Sequence, residues 1–232
     1  MKFSAIQVVC FDADDTLWPN EPYFQEAEQR FCALLEDFMP HHSVSQELFR
    51  TEMQNLPLYG YGIKAFMLSM IETILRVTED QAPAAMIRKA IEYGKELLDK
   101  PIELFPEVND VLTTLSGRYR LVVATKGDLL DQERKLKKSG IAHFFHHIEI
   151  MSEKKESDYL KLLQHLDCDP LHFLMIGNSL KSDILPVLEV GGYGVHIPFH
   201  TTWAHEMIQQ PVEHPRLERL SGIGELLKFF PS

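Results

Sequence analysis

The sequence predicts an α/β fold, a doubly wound parallel sheet core with an inserted all-helical domain. Short apolar runs rich in β-branched residues recur along the chain, and helical patterns separate the later ones. One long interval, from Trp18 to about Lys100, interrupts this alternation with helical periodicity only.

The candidate strands are IQVVCF at residues 6–11, YRLVVA at 119–124, HHIEI at 146–150, HFLMI at 172–176 and GVHI at 194–197. Each is continuous more than alternating, which suits central strands covered on both faces. Between them, FPEVNDVLTTLSG carries Pro106 near a helix start and stops at Gly117, while DLLDQERKLKKSG starts at Asp128 and stops at Gly140. Pro186, inside the helical pattern of LPVLEVGGYG, marks a kink or an early helix end.

In the long interval, Ile63, Phe66, Met67, Met70, Ile71, Ile74 and Leu75 follow a three/four spacing that makes one apolar stripe. Residues 21–39 and 84–98 read as helices in the same way. The prolines of LWPNEP and LDKPIELFP mark the boundaries. The expected division is a core of residues 1–17 and 101–232 and a helical insert at 18–100, large enough for a small core of its own.

The composition, 45% hydrophobic and 25% charged over 232 residues, is that of a globular protein. The net charge is −11 and the lysines and arginines are dispersed, which argues against nucleic acid as a partner. Small anionic ligands remain compatible, because a few local cations outweigh distant surface charge. Cys10, Cys32 and Cys168 are far apart and odd in number, which fits reduced, buried thiols. No signal-peptide pattern and no membrane-length apolar run is present, so a cytoplasmic protein is expected.

In open α/β sheets ligands bind outside the carboxyl ends of the strands, so the residues after each strand carry the functional reading. After the first come Asp12, Asp14 and Thr16; residues two apart in extended backbone share a side, so both acids could face one pocket while Asp15 serves as a turn or cap. Two facing carboxylates suit a nucleophile paired with a proton carrier, or a site for a hard cation. After the second strand, Thr125 precedes Lys126, Gly127 and Asp128 at a helix start, where a hydroxyl and free N–H groups suit a phosphoryl oxygen. Lys154 and Lys155 follow the third strand, and Gly177, Asn178 and Asp183 follow the fourth.

This ordered set, DADDT at 12–16, VVATKGD with Thr125, the lysine of SEKKESDY and IGNSLKSD at 176–183, resembles the four motifs of the haloacid-dehalogenase-like hydrolase superfamily. The resemblance spans the whole Rossmann-like core, and the helical insert resembles the cap of that superfamily's first cap type. It implies a phosphatase with Asp12 as the nucleophile that becomes an aspartyl-phosphate and Asp14 as general acid and then base. Thr125, Lys126, Lys154 and Thr16 would face the phosphate, with Lys154 preferred over Lys155. Mg²⁺ would be held by Asp12, Asp14 through its carbonyl, Asn178 and Asp183, and the substrate would be a small phosphorylated metabolite. Asn178 replaces the usual acid of the fourth motif, which weakens the Mg²⁺ site in expectation and gives Asp183 a larger share. Lys126 stands where asparagine is common. Asp14 separates the chain from dehalogenases, which lack an acid there. A phosphomutase or pyrophosphatase on the same core, a phosphoacceptor signalling domain and a silent phospho-ligand binder are the other readings.

Two weaker signals remain. Tyr61 and Lys64, in LYGYGIKAF, either read the substrate or form a helix-connecting turn. His196, His200 and His205 lie close in sequence, without a complete zinc spacing.

Overall fold

The structure, a computed structural model, describes residues 3–208 and 210–230. They form two compact units: one from the segments up to Glu21, Ile102–Lys126 and from Gln132 onward, the other from Pro22–Pro101 and Gly127–Asp131.

In the first unit six strands, β1 (Val8–Phe11), β2 (Arg120–Lys126), β3 (His147–Met151), β4 (Phe173–Gly177), β5 (Tyr193–His196) and β6 (Leu217–Arg219), make one sheet in the order β3-β2-β1-β4-β5-β6. Every pairing is parallel, as the continuous apolar runs predict, and Phe11 lies opposite both Val123 and Ile176. The strand order reverses between β1 and β4, which makes that gap the topological switch point. The helices are α1 (Glu21–Leu34), α2 (His41–Tyr59), α3 (Ile63–Val77), α4 (Ala84–Asp99), α5 (Val108–Leu115), α6 (Leu129–Ser139), α7 (Glu156–His165) and α8 (Leu185–Glu189).

Alternation along the strands separates two apolar layers. Val9, Phe11, Val123 and Ile176 pack with Val108, Leu112 and Leu115 of α5; Val8, Cys10, Val122 and Met175 pack with Tyr159 and Leu162 of α7 and Val187 of α8. The central strands are thus buried on both faces, and their ends are fixed against movement from either side.

The second unit has its own core, in which Phe31, Leu48, Phe66, Met70, Ile74, Ala90 and Leu97 meet. A polar seam runs through it: Asn55 Nδ2 donates to Ser69 Oγ at 3.1 Å, and Thr73 Oγ1 to Thr51 Oγ1 at 3.1 Å, so α2 and α3 satisfy each other's buried groups. Among the described residues no helix is long and apolar enough to cross a membrane.

Several local expectations change. β6 has no counterpart among the apolar runs, because two of its three residues are Glu218 and Arg219 and its place comes from pairing with β5. The helix expected to reach Met39 ends at Leu34, with a turn closed by Phe38 N–H on the Leu35 carbonyl. Leu75 lies off the buried stripe at 37% exposure, the buried face of α3 being completed by Ser69 and Thr73. Cys168 is only half-buried, whereas Cys10 and Cys32 are fully buried. Pro186 sits in the first turn of α8, where its missing N–H costs nothing, directly after a π-helical turn at Leu180–Ile184.

Candidate active site

β1 delivers Asp12 to the switch point, and the Asp12 N–H extends the pairing by donating to the Ile176 carbonyl at 2.9 Å. Asp12 Oδ1 accepts from Lys154 Nζ at 2.5 Å, and the same ammonium donates to Asp183 Oδ1 at 2.6 Å. Asp12 Oδ2 accepts from Thr16 Oγ1 at 3.0 Å. All four side chains are buried. Asp183 Oδ2 accepts from the Ser179 N–H at 2.9 Å, and a Cβ at Gly177 would overlap the Asp183 carboxylate, so that strand end requires glycine.

Two carboxylates therefore share one ammonium. Burial pushes the Asp12 carboxyl up to about 7; Lys154 pulls it down and Asp183 pushes it up. Burial alone would lower Lys154, but the charges of Asp12 and Asp183 outweigh it and hold the ammonium above the ordinary lysine range. Lys155 lies outside this hydrogen-bond network: its side chain is 66% exposed and 3.9 Å from Glu153.

Thr16 ties the first strand end to the fourth. Its hydroxyl accepts from the Asn178 N–H at 3.1 Å, and its single proton goes to Asp12, leaving Asn178 Oδ1 at 3.4 Å from the same oxygen. Thr125 is buried on β2, two residues beyond the partner of Phe11, at the same sheet edge.

Lys126 turns toward an acid. Its Nζ donates to Glu206 Oε1 at 2.6 Å and to Ser182 Oγ at 2.8 Å. Glu206 Oε2 accepts from Ser179 Oγ and Ser182 Oγ, each at 2.6 Å. Burial would raise the Glu206 carboxyl, but Lys126 and the two hydroxyls pull it down to about 2. Sequence reasoning missed Glu206, which lies 80 residues from Lys126 in a loop marked only by its histidines.

Asp14 has its own set of hydrogen bonds, while its charge still acts on the Asp12 carboxyl. Oδ1 accepts from Trp18 Nε1 at 2.8 Å, Oδ2 from Gln132 Nε2 at 2.8 Å, and both from Lys135 Nζ at 3.0 Å. Lys135 also donates to Asn20 Oδ1 at 2.7 Å. Trp18 is fully buried in the core of the first unit. Gln132 and Lys135 had no signal in the sequence, where they sit in a helix resembling an ordinary solvated one.

Asp15, with φ of 62°, turns back to accept from the Asn20 N–H at 2.8 Å and the Glu21 N–H at 3.1 Å, capping the start of α1. Burial pushes its carboxyl up to about 7, against those two donors. In the second unit, Lys64 Nζ is 3.0 Å from both carboxylate oxygens of Asp128. His196 Nε2 is 2.9 Å from the Asn178 carbonyl, whereas His205 Nε2 is 3.3 Å from Lys181 Nζ.

Among the described residues no group of three or more His, Cys, Asp or Glu side chains is arranged to hold a metal. The oxygens here are of mixed kind. Asp12 Oδ2 and Asn178 Oδ1 converge on the Thr16 hydroxyl, at 3.0 and 3.4 Å. Hard oxygen donors beside a carboxyl that burial holds at about 7 fit a hard divalent cation, whose charge would offset that burial.

The family model for haloacid dehalogenase-like hydrolases matches residues 6–191. A Methanopyrus kandleri protein, "Glyceraldehyde 3-phosphate phosphatase", is 26% identical over 201 residues, covering 83% of this chain and 84% of that protein. The crystal structure of a haloacid dehalogenase-like hydrolase from Xanthomonas campestris is similar with a TM-score of 0.87 and 37% identity, over 97% of this chain and 91% of that one. A Bacillus subtilis HAD-hydrolase, crystallised bound to magnesium, shares the fold at a TM-score of 0.64 and 18% identity, over 97% and 98% of the two chains.

Proposed function

The chain belongs to the haloacid dehalogenase-like hydrolase family, and from that premise we propose that this phosphoric monoester hydrolase frees phosphate from a small phosphorylated metabolite in two steps through Asp12. The observation that carries the reading is the Lys154 ammonium bound to both Asp12 and Asp183 at the switch point. It fixes one oxygen of a buried carboxylate and supplies positive charge where an anion must approach it.

In the first step a carboxylate oxygen of Asp12 attacks phosphorus, the bond to the leaving oxygen breaks, and Asp14 gives that oxygen its proton. In the second, Asp14 takes a proton from water as the water attacks phosphorus and the bond to Asp12 breaks. Thr125 and Lys154 hold the phosphoryl oxygens, Thr16 faces the same site with its proton on Asp12 Oδ2, and Lys126 acts with its charge already paired to Glu206. Mg²⁺, held by Asp12, Asn178 and the Asp14 carbonyl with Asp183 beside them, would supply charge neutralisation between two anions. The magnesium of the Bacillus subtilis structure supports that choice of ion. The named phosphatase of Methanopyrus kandleri supports a small phosphorylated substrate, with three-carbon phosphates the first to test.

Asp12→Asn is expected to abolish Mg²⁺-dependent phosphate release from an aryl phosphate while the variant stays folded. Retained turnover would overturn the covalent route.

A further inference from the structure

Helix α6 buries Leu136 in the core but also buries two polar side chains. Its first two residues, Leu129 and Leu130, are 60% and 56% exposed, while Gln132 and Lys135, one turn apart, are 2% and 8% exposed. Burying a lysine and a glutamine runs against the desolvation cost of polar groups, so these two side chains are kept inside for what they touch. Both touch Asp14. Lys135 Nζ bridges its two oxygens at 3.0 Å, and Gln132 Nε2 reaches Oδ2 at 2.8 Å and the Lys126 carbonyl at 2.9 Å.

The glutamine amide is used up by this arrangement. Its two N–H groups go to Asp14 and Lys126, and Gln132 Oε1 is left buried with no hydrogen-bond partner among the described residues. A flipped amide would set that oxygen against the Asp14 carboxylate, so Asp14 fixes the orientation. A buried unpaired carbonyl is unfavourable, and a purely structural position would be filled by an apolar side chain. Asn20 in turn orients Lys135, accepting at 2.7 Å.

We propose that Lys135 and Gln132 are positioning residues that set the Asp14 carboxyl against the leaving oxygen. The proposal rests on the reading of Asp14 as the proton donor. The transferred proton moves from the Asp14 carboxyl to the departing oxygen as the phosphorus–oxygen bond breaks, and the carboxylate left behind is received by the Lys135, Gln132 and Trp18 donors. Proton delivery matters for an alkoxide leaving group and little for nitrophenolate, which departs unaided.

The test compares kcat/KM for an alkyl phosphate and for p-nitrophenyl phosphate, since this ratio covers only the steps through departure of the leaving group. Lys135→Met and Gln132→Leu are expected to lower the alkyl value at least about tenfold more than the aryl value, and Lys135→Arg to restore most of the difference. Equal losses on both substrates, or no loss, would overturn the proposal. Asp14→Asn separates the two claims: if it too affects both substrates equally, the reading of Asp14 fails. If Asp14→Asn is selective while Gln132→Leu and Lys135→Met are not, only the positioning role fails.

Discussion

Lys154 Nζ and Asp12 Oδ1 are 2.5 Å apart, with the two side chains 2% and 9% exposed. A pair this buried gains little against an apolar replacement of both partners, but removing one partner strands the other. Lys154→Met is therefore expected to lower unfolding stability by about 3–5 kcal/mol in urea titration and to abolish phosphate release. Lys155→Met, on the exposed neighbour, is expected to stay within about 0.5 kcal/mol and retain activity.

The Asp15 carboxyl gives a pH signature. Its value rises from 3.8 in the unfolded chain to about 7 in the fold, through burial. Such a group favours the fold while protonated, so its contribution is whole below about 3.8 and is lost as pH climbs through about 7. Asp15→Asn keeps an oxygen to accept from the Asn20 and Glu21 N–H groups without the charge. Its Tm relative to the parent is expected to rise between pH 5 and pH 8, and a parallel pair of curves would refute the assignment.

Glu206 acts in the opposite sense. Held at about 2 against an ordinary 4.5, it contributes stability above about 4.5 that disappears as pH falls through about 2. Glu206→Gln should flatten that acid limb and, by taking the carboxylate charge from beside the half-buried Lys126 ammonium, cost about 2–4 kcal/mol at pH 7. Adding Lys126→Met to Glu206→Gln should recover part of that cost in the same denaturation measurement.

Asn178 offers a gain-of-affinity test. Asn178→Asp adds a charged oxygen beside Asp12, and ligand charge is a principal determinant of divalent affinity. Isothermal titration of the folded protein with Mg²⁺ is expected to show binding about tenfold tighter than for the parent chain. Unchanged affinity would remove Asn178 from the proposed ligand set.

Much of this was legible in the sequence, for physical reasons. The runs of β1, β2 and β4 are continuous and apolar because both faces are covered, whereas β3, at the sheet edge, is only partly buried and alternates polar and apolar residues. Thr16 and Asn178 stand at strand ends, so sheet topology alone brings them together. The remainder depends on tertiary placement. Lys154 and Lys155 are equivalent letters until burial separates them, and Glu206 becomes relevant only when its loop folds onto Lys126. The partners of Asp14 were the least legible part. The turn at residues 13–17, with Thr16 and Leu17 N–H groups both on the Ala13 carbonyl, ends the extended backbone, so period-two geometry says nothing of which donors each acid meets. Those of Asp14 come from Trp18, Gln132 and Lys135.

The two acids draw their hydrogen-bond partners from different stretches of the chain. The groups around Asp12 come from Thr16, Lys154 and the fourth-strand loop, and those around Asp14 come from Trp18 and α6. If Asp14 is the proton donor as proposed, changes at Gln132 and Lys135 on α6 alter how a departing group is handled and leave the hydrogen bonds of Asp12 in place. Selection or laboratory evolution toward new leaving groups therefore has a short, defined stretch of chain to act on, and libraries confined to residues 129–139 are the economical place to begin.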